Sequence, residues 1–465
     1  MAKITFIHPN ANSETDFKGK KTTIPPEGLC LLAAIVREQG YEPNIIDAAA
    51  LLLNNKEIID ILKKQQPDFI GITSTTVNIY STSKLADKIK EEFPNVPIIL
   101  GGAHITIEPQ STMKEFKSID IGVIGEAEIT IIELLETLTA KKSLKTVKGI
   151  IYREDNKIIQ NLPNKIIEDL DSLPIPAWEL LPEIKKHYKQ SVARAERKPS
   201  MSIMTSRGCP GKCIFCVQNQ KLRGYSAERL IFIVKYLIEK YKIKSLEIND
   251  DNFVVFKERL IQFCNKIIDE KIDITWSCMS RVNHVDEEIL ELMKKAGCRR
   301  IAYGIESGSQ EILNFEKKGI TIEQIKRAVN LTHKAGIKVT GYFILGHPLE
   351  TKETINQTIN LALELPFDDY LPSFMIPYPG SELYNIAEQY GTFKKDWKNM
   401  YQWNINFVPK GFTEKELEEY FKTSLRRFYF RPRIIWNYTQ KLINPKYSLD
   451  FIKEGTNALS FMIKK

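Results

Sequence analysis

The sequence predicts an α/β protein with two successive parallel sheets and a helical C-terminal tail. Three observations lead to this fold class. Apolar strand patterns alternate with amphipathic helix patterns in the first part of the chain, the alternation returns in the second part, and a basic helical pattern closes the sequence. Parallel strands joined by helices form a doubly wound sheet or a barrel. A chain of 465 residues is long enough for about three domains.

Residues 1–142 are predicted to form a doubly wound domain around five parallel strands. Each strand pattern is short and almost continuously apolar, which is typical of strands that helices cover on both faces. Ligands of such sheets bind at the carboxyl ends of the strands, where the strand order reverses. The predicted strands span residues 3–8, 43–47, 69–74, 97–102 and 121–125.

Polar residues and glycines follow four of these strands, at the edge where a ligand would bind. Neither a G-x-G-x-x-G nor a Walker-type G-K-[ST] pattern is present, so the sequence supports neither dinucleotide nor triphosphate binding. Paired glycines and hydroxyl side chains suit a large ligand that lies close to the backbone. The candidate residues at this edge are His8, Thr73, Ser74, Gly101, Gly102, His104, Gly125 and Glu126.

Residues 143–195 are predicted to form a hairpin and a proline-rich linker. A β-hairpin pattern covers Gly149 to Gln160. Four prolines between residues 163 and 182 favour an extended, semi-rigid connection over another globular unit. We therefore expect the domain boundary in this stretch.

Residues 196–400 are predicted to form a partial barrel of six parallel strands. Chemistry in such barrels lies at the carboxyl ends of the strands, and polar or glycine-containing turns follow the strand patterns here. The predicted strands span residues 201–206, 245–249, 274–279, 300–305, 338–345 and 369–376.

Three cysteines follow the first of these strands in a C-x3-C-x2-C pattern: Cys209, Cys213 and Cys216. Thiolates this close converge on one soft metal centre only if the backbone loops around it, and the intervening glycines and proline suit such a loop. They satisfy only part of a four-iron cube, so one iron is left for an outside ligand. Zinc or a chance grouping is the alternative. Zinc needs a fourth Cys or His, and His187 and Cys264 stand in no such pairing.

The pattern C-x3-C-x-aromatic-C after a first strand resembles the signature of the radical S-adenosylmethionine (SAM) superfamily, and the resemblance covers residues 200–384. It implies that the three cysteines bind a four-iron four-sulfur (4Fe-4S) cluster and that S-adenosyl-L-methionine binds the open iron. The later strand ends also match radical SAM elements in the same order. By this resemblance, the SAM-binding residues are Phe215, Asp250, Asp251, Ser280, Arg281, Glu306, Ser307, Phe343 and Gly346.

Helix capping is an alternative role for some of these residues. Asp250, Asp251 and Ser307 stand at positions where N-caps are preferred. Glu350 follows Gly346 at one residue more than the common spacing, and we assign it no ligand role. No residue is assigned a catalytic role.

The first domain resembles the cobalamin (B12)-binding domain that precedes many radical SAM domains. The resemblance lies in the turns from Gly101 to His104 and from Gly122 to Glu126, and it implies a flavodoxin-like fold with bound cobalamin. The D-x-H-x-x-G motif, whose histidine ligates cobalt, is absent, because no histidine has an aspartate two residues before it. This absence does not exclude cobalamin. A domain that has lost the cofactor and serves as a scaffold is the alternative.

Together the resemblances imply a radical SAM enzyme that forms a 5′-deoxyadenosyl radical for hydrogen abstraction. The favoured reaction is cobalamin-dependent C-methylation of an unactivated carbon in a small-molecule or lipid-like substrate. One alternative is cobalamin-assisted oxidative cyclisation, as in the oxygen-independent porphyrin-ring cyclases. Another is a cobalamin-free radical SAM reaction such as lipid-chain modification. A one-electron donor such as flavodoxin or ferredoxin is the expected partner.

Composition and charge indicate the compartment and the class of partner. The chain begins with a strand pattern and has no apolar run long enough to span a membrane, so we expect a cytoplasmic protein. Four scattered cysteines do not resemble a disulfide framework and suit a reducing, anaerobic interior. The net charge of +8 equals that of residues 421–465, which hold ten Lys or Arg and two acidic residues. We therefore expect no nucleic-acid partner.

Residues 401–465 are predicted to form a basic helical C-terminal region. The helical pattern runs from Glu414 to Lys465, and arginines alternate with aromatic residues between Arg426 and Arg433. This stretch resembles the tail of many cobalamin-type radical SAM proteins, which favours a helix packed across the barrel mouth with buried aromatics. Contact with nucleic-acid bases, with an anionic substrate or, peripherally, with a membrane surface is the alternative.

Overall fold

Two compact units make up the computed structural model, which describes residues 1–10, 24–188, 197–217 and 221–443. The first unit contains Met1–Tyr188 and the short segment Trp397–Met400. The second contains the described residues between Lys189 and Asp396 and those from Tyr401 onward. Within the described ranges, no helix is long and apolar enough to cross a membrane.

The first unit is built around a seven-stranded sheet with helices on both faces. Its strands are β1 (Lys3–His8), β2 (Glu42–Asp47), β3 (Phe69–Thr73), β4 (Ile98–Gly101), β5 (Ile121–Val123), β6 (Ile150–Glu154) and β7 (Lys157–Gln160). Its helices are α1 (Glu27–Glu38), α2 (Ala48–Leu51), α3 (Asn55–Gln65), α4 (Ile79–Glu92), α5 (Ala103–Ile107), α6 (Pro109–Glu115), α7 (Glu128–Thr139) and α8 (Ile184–His187).

The strand order β2-β1-β3-β4-β5, with every pair parallel, confirms the doubly wound, flavodoxin-like domain. One apolar core packs side chains of β1 and β3 against α3 and α4. A second core packs other side chains of the same strands against α1 and α7. Because both faces are covered, the strands are almost continuously apolar, which explains the sequence pattern.

The predicted hairpin is part of this sheet, so the first unit extends beyond residue 142. β6 pairs antiparallel with β5, and β7 pairs antiparallel with β6. Tyr152 on β6 is 1% exposed. The hairpin covers an edge of β5 that would otherwise present unpaired backbone groups.

The proline-rich stretch also packs on the first unit as far as Tyr188. Trp178 is buried, and Ala177 donates its amide to the Cys30 carbonyl at 2.9 Å. The structure therefore differs from the expected linker, because apolar residues among the prolines are anchored to α1. The rest of that predicted linker, from residue 189 on, lies outside the described residues.

The second unit contains a six-stranded sheet and two small two-stranded sheets. Its strands are β8 (Ser200–Ile203), β9 (Ser206–Arg207), β10 (Arg223–Gly224), β11 (Ser245–Ile248), β12 (Thr275–Ser280), β13 (Cys298–Glu306), β14 (Lys338–Leu345), β15 (Asp369–Phe374), β16 (Gly391–Phe393) and β17 (Phe407–Pro409). Its helices are α9 (Ala227–Tyr241), α10 (Lys257–Asp269), α11 (Glu287–Lys295), α12 (Gln310–Phe315), α13 (Ile322–Lys334), α14 (Lys352–Glu364), α15 (Glu382–Tyr390), α16 (Glu414–Tyr429) and α17 (Pro432–Ile443).

The six-stranded sheet has the order β15-β14-β13-β12-β11-β8, and all its pairs are parallel. This curled sheet confirms the predicted partial barrel. A connection with at least one helix precedes each new strand, so the carboxyl ends of all six strands lie on one face.

The C-terminal region is helical from Glu414 to Ile443, and its predicted continuation to Lys465 lies outside the described residues. Helix α16 packs on edge strand β15 and on α14. Phe421 stacks on Phe374, and Phe428 stacks on Tyr370, with ring centres 4.6 and 5.3 Å apart. Phe421 and Phe428 are therefore packed on the barrel, whereas Phe430 and Trp436 are exposed.

Two arginines of the tail serve this packing. Arg431 Nη1 donates to the Leu363 carbonyl at 2.9 Å, near the C-terminal end of α14, where main-chain carbonyls lack helical partners. Arg433 Nη2 donates to the Phe367 carbonyl at 2.6 Å. Two of the basic residues of the C-terminal region therefore form hydrogen bonds within the protein.

A buried carboxylate ties Tyr188, the end of the long segment of the first unit, to the sheet of that unit. Asp47, at the end of β2, is fully buried. Its oxygens accept hydrogen bonds from the Ala50 amide at 3.0 Å and from the Tyr188 hydroxyl at 2.6 Å. Burial and the neighbouring Asp47 raise the pKa of Tyr188, so its hydroxyl keeps its proton and donates.

Replacing Tyr188 by Phe removes this donor from a buried carboxylate. We expect the free energy of unfolding of the first unit to fall by about 1–3 kcal/mol, measured by urea denaturation. Tyr41→Phe is the matched control, because the Tyr41 hydroxyl is 3.5 Å from Thr139 in an exposed position. Equal midpoints for the two variants would contradict the role of Tyr188.

Candidate functional site

The three cysteines of the C-x3-C-x2-C pattern lie on one loop that follows β9 and is called the cysteine loop below. Cys209 and Cys213 are partly buried, and Cys216 is exposed. A Cβ atom added to Gly211 would lie 3.4 Å from Cys209 Sγ and 3.8 Å from Cys213 Sγ, so both sulfurs approach the same point. The Cys216 amide donates to the Cys213 carbonyl at 3.1 Å. Two of the predicted ligands therefore have neighbouring thiols, and Cys216 lies one turn further along the same loop.

Main-chain hydrogen bonds hold the middle of the cysteine loop from two sides. The Ile214 amide donates to the Glu316 carbonyl at 3.1 Å, and the Ile214 carbonyl accepts from the Leu383 amide at 2.8 Å. The Ile214 side chain is buried in a small core with Met375 and Leu383. From residue 208 to 217 the described chain has no helix or strand, so these contacts set its shape.

Asp250, two residues after β11, holds the chain just before the cysteine loop. One carboxylate oxygen accepts from the amides of Thr205 at 2.5 Å and Ser206 at 3.0 Å, and the other accepts from the Thr205 hydroxyl at 2.5 Å. Arg259 adds an ion pair at 3.4 Å. Both oxygens of Asp250 are thus engaged within the protein, whereas Asp251 beside it is exposed. Neither aspartate is the N-cap of the short turn that follows, since that position is held by the next residue.

Arg281 follows β12 and lies beside the cysteine loop. Its Nη1 is 3.9 Å from Cys213 Sγ, and its Nη2 donates to the Lys318 carbonyl. The guanidinium therefore places a fixed positive charge next to a predicted cluster ligand. Ser280 is buried, and its hydroxyl donates to the Arg281 carbonyl at 3.1 Å.

Glu306 ends β13 with a φ of 63°, a left-handed conformation that is uncommon outside glycine. The register between β13 and β14 shifts at this point. The Glu306 carboxylate accepts from Lys318 Nζ at 2.5 Å, and the two side chains are about one-tenth exposed, at 10% and 9%. Lys318 Nζ also lies 6.0 Å from the ring centre of Phe215. These residues form a charged, partly aromatic corner beside the cysteine loop.

Ser307 is fully buried and serves the turn after β13. Its hydroxyl lies 3.2 Å from the Thr358 hydroxyl and accepts from the Ser309 amide at 3.1 Å. The N-cap position of α12 belongs to Ser309, so the alternative that Ser307 is the cap does not hold.

Neighbouring side chains of β14 pack on opposite faces of the six-stranded sheet. Phe343 is fully buried against Phe367 and Tyr370, with ring centres 5.5 and 4.9 Å apart. Its neighbour Ile344 packs in the same small core as Ile214 of the cysteine loop. Successive side chains of a strand point to opposite faces. Within the stretch from Phe343 to Gly346 that is expected to line the SAM site, Ile344 therefore packs with the core of the cysteine loop, whereas Phe343 lies on the opposite face.

His347, after β14, is a buried residue that the sequence analysis did not select. Its Nδ1 is 3.1 Å from Glu316 Oε1, and its Nε2 is 3.1 Å from the Ile344 carbonyl oxygen. Burial alone would lower the pKa of His347, but the hydrogen bond and the charge of Glu316 outweigh it, and the pKa is raised. Glu350 accepts from the amides of Gly346 and His347 at 3.2 and 3.4 Å, so it closes the turn.

The glycine-rich edge of the first unit forms at the carboxyl ends of neighbouring strands β3, β4 and β5. Gly102 has a φ of 98°, and a Cβ atom there would lie 2.4 Å from the Ser74 carbonyl oxygen. At Gly101 and Gly125, in contrast, no atom lies within 4 Å of an added Cβ. Open space beside these two backbones suits a large ligand that approaches the main chain.

Two side chains at this edge each have a buried polar atom without a hydrogen-bond partner in the described structure: Ser74 Oγ and His104 Nε2. The other ring nitrogen of His104 is 3.2 Å from the Thr76 hydroxyl, and the ring meets Trp397 edge-on at 4.5 Å. Burial lowers the pKa of His104 to about 4, so the ring is neutral near pH 7. Unpaired buried polar atoms are costly, and a ligand with polar groups would supply the missing partners.

The remaining candidates at this edge have different surroundings. His8 Nδ1 lies 3.0 Å from the buried Asp47 carboxylate, which holds the imidazole. Thr73 is partly buried, and its hydroxyl oxygen is close to Gly102. Glu126 is partly buried and follows Gly125 directly. His8 is therefore a residue whose position the fold itself explains.

The donor set of the cysteine loop fits an iron–sulfur cluster. Within the described ranges, no three His, Cys, Asp or Glu side chains converge as they would around a single ion. A 4Fe-4S cluster binds each thiolate through a different iron, so its ligands need not converge in this way. The chain's other cysteines, Cys30, Cys264, Cys278 and Cys298, are all buried.

Two family models match the chain. The model of the radical SAM superfamily matches residues 203–362, which include the cysteine loop. The model of the B12 binding domain matches residues 21–135, which include the glycine-rich edge.

Similar proteins extend this match over most of the chain. An uncharacterized methyltransferase of Pyrococcus horikoshii is 37% identical over 422 residues, 89% of this chain and 90% of that protein. An anaerobic magnesium-protoporphyrin IX monomethyl ester cyclase of Rubrivivax gelatinosus is 27% identical over 469 residues, 97% of this chain and 82% of that protein. The structure of the radical S-adenosylmethionine methyltransferase TsrM from Kitasatospora setae, solved with cobalamin and a 4Fe-4S cluster, has the same fold, with a TM-score of 0.69. The match has 18% sequence identity and covers 93% of this chain and 82% of the TsrM chain. The chain therefore belongs to the family of radical SAM enzymes that carry a B12-binding domain.

Proposed function

We propose that this protein is a cobalamin-dependent methyltransferase that uses radical SAM chemistry to methylate an unactivated carbon. The observation that carries the proposal is the cysteine loop, which holds Cys209, Cys213 and Cys216 on one short turn. Three thiolates leave one iron of a four-iron cluster without a protein ligand. That vacancy is what SAM needs in order to bind the cluster directly.

When bound, the two cofactors supply hydrogen abstraction by a SAM-derived radical and methyl transfer, and the protein supplies binding and orientation. The cysteine loop would hold the cluster. The Glu306 carboxylate, set by Lys318 at 2.5 Å, and the exposed Asp251 are the acceptors that we assign to polar groups of SAM. Arg281, beside Cys213, is a donor for the SAM carboxylate on the same side.

We assign cobalamin to the glycine-rich edge of the first unit. Open space at Gly101 and Gly125 allows a flat, bulky ligand to approach the backbone. The unpartnered Ser74 Oγ and His104 Nε2 would gain hydrogen-bond partners from its polar groups. These features support a cofactor-binding domain over a scaffold that has lost its ligand.

Oxidative cyclisation is the second candidate reaction, because the cyclase of Rubrivivax gelatinosus matches 97% of this chain. Methylation is favoured because the Pyrococcus horikoshii protein, at 37% identity, is named a methyltransferase. A cobalamin-free modification of lipid chains, with the first unit as a scaffold, has no comparable support.

The proposed reaction determines which electron donor and which class of substrate we expect. It needs a one-electron donor such as flavodoxin or ferredoxin and a small-molecule or lipid-like substrate. A reducing compartment such as the cytoplasm suits the exposed Cys216. The proposal gives nucleic acid and membrane contact no role.

Replacing Cys209, Cys213 and Cys216 by Ala in one variant removes the proposed cluster ligands. We expect the anaerobically reconstituted wild type to hold about four irons per chain and the variant about none. Iron analysis and the visible absorbance of the protein measure this. Cys264→Ala, which removes a buried thiol of the second unit, should keep the wild-type iron content. Full iron loading of the triple variant would refute the ligand assignment.

Replacing Gly125 by Val fills the open space at the proposed cobalamin edge. We expect cobalamin affinity to fall by about tenfold or more, because a side chain there displaces a ligand that packs on the backbone. Binding is measured by the absorbance of cobalamin that stays with the protein after gel filtration.

Gly40→Val is the matched control for this test. Gly40 has a φ of 83° against 82° for Gly125, and space is open at both positions, so the backbone strain is the same. Gly40 precedes β2 and therefore lies at the opposite edge of the sheet. Equal loss of cobalamin from both variants would show that backbone strain causes the loss, and it would overturn the assignment of cobalamin to this edge.

Methylation and cyclisation are separated by a labelled methyl donor. With SAM that carries a trideuterated methyl group, a methylated product gains three deuterium atoms, which mass spectrometry detects. A cyclised product formed by the alternative reaction gains none. Turnover that yields only unlabelled product would exclude methylation.

A further inference from the structure

We propose that Glu316 and His347 are positioning residues for the cluster: their buried pair fixes the main-chain carbonyl that holds the cysteine loop. This inference rests on the proposed function, in which the cysteine loop binds a 4Fe-4S cluster. It deepens that function by naming two residues other than the cysteines and the proposed SAM acceptors.

The pair is isolated from solvent, since neither side chain is exposed. Nδ1 of His347 faces Glu316 Oε1, and Nε2 faces the Ile344 carbonyl, both at 3.1 Å. A carbonyl oxygen can only accept, so Nε2 carries a proton. With a carboxylate at Nδ1, the ring is held at both ends, and it cannot rotate without losing a hydrogen bond in a dry environment.

The pair reaches the cysteine loop through the backbone of Glu316. This residue is the C-cap of α12, and its amide donates to the Ile312 carbonyl at 2.9 Å. Its own carbonyl accepts the Ile214 amide at 3.1 Å. Ile214 is the residue directly after Cys213. A change in the side-chain pair therefore moves the acceptor that fixes the peptide group between two cluster ligands.

His347 is itself held in place from β14. Gly346 adopts a φ of 86°, and Glu350 accepts the amides of Gly346 and His347 at 3.2 and 3.4 Å. The backbone of His347 is thus fixed in a hydrogen-bonded turn that follows β14. The chain of contacts runs from this turn through Glu316 to Ile214, and every link is buried or made by the main chain.

Stability alone is a weak explanation for this pair. Buried ion pairs are often no better for stability than apolar residues of similar volume, because desolvation offsets their attraction. Glu316 Oε2 has no hydrogen-bond partner in the described structure, which adds to this cost. A role in positioning accounts for the place of the pair directly behind the cysteine loop.

The test compares cluster properties in the full-length, anaerobically reconstituted protein. Glu316→Gln keeps the shape of the side chain and removes its charge. We expect iron release to an added chelator to be about tenfold faster than in the wild type, as for other groups behind metal ligands. We also expect shifted g values in the electron paramagnetic resonance spectrum of the reduced cluster.

Asp369→Asn is the matched control in the same unit. It weakens another buried pair, in which Arg300 Nη1 and Asp369 Oδ2 are 2.6 Å apart and the side chains are 8% and 9% exposed. Arg300 and Asp369 lie on β13 and β15 and make none of the cysteine-loop contacts described above. Asp369→Asn should lower stability but keep the wild-type spectrum and iron release.

Wild-type behaviour of Glu316→Gln, or equal acceleration in Asp369→Asn, would overturn the positioning role. If Glu316→Gln does not fold, the double variant Glu316→Leu with His347→Phe decides, because it leaves no buried charge unpaired. Fast iron release from this folded double variant supports the proposal, and wild-type release refutes it. A wild-type protein that takes up no four-iron cluster would refute the proposed function instead, so the two failures are distinguishable.

Discussion

The site proposed in the second unit depends on the contacts that hold the cysteine loop, a short segment without helix or strand. Its thiols have no ladder of backbone hydrogen bonds to place them, so its main chain is fixed from separate parts of the barrel. Asp250, two residues after β11, holds the chain just before the loop, while Glu316 and Leu383 hold the amide and the carbonyl of Ile214. These contacts come from residues far apart in sequence. The parallel barrel brings these residues to one face, where together they position the cysteine loop.

The first unit uses its strand ends differently. At Gly102 the backbone of a neighbouring turn fills the space, whereas at Gly101 and Gly125 the space is open. The structure thus separates a glycine that the fold requires from glycines that leave room for a ligand. Ser74 and His104 add buried polar atoms that the protein itself does not satisfy. Together these features fit the cofactor-binding role proposed for this edge.

The sequence predicted both sheets because strands covered on two faces are almost continuously apolar, and it predicted the cysteine loop because its spacing is compact. It did not predict which side chains between Phe343 and Gly346 face the loop, since both faces of β14 are apolar and alternation is hidden. Ile344 packs with the core of the cysteine loop, and Phe343 packs against Phe367 on the other face. The sequence analysis also missed the pairing of Glu316 with His347, which are far apart in the chain and meet only through the barrel. The hairpin was predicted, but its pairing with β5 was not, because antiparallel pairing with a strand of an earlier segment leaves no local signal.

Burial divides the seven cysteines of this chain into two chemical classes. Desolvation raises the pKa of Cys30, Cys264 and Cys278 far above the usual range of a thiol, so these residues stay protonated and unreactive. The cysteines of the loop are partly or fully accessible. Among the described residues, thiols that iron and sulfide can reach therefore lie only on the cysteine loop. The same selectivity has a cost in air, where oxidation to sulfenic acid or a disulfide would begin at the loop and block reassembly there.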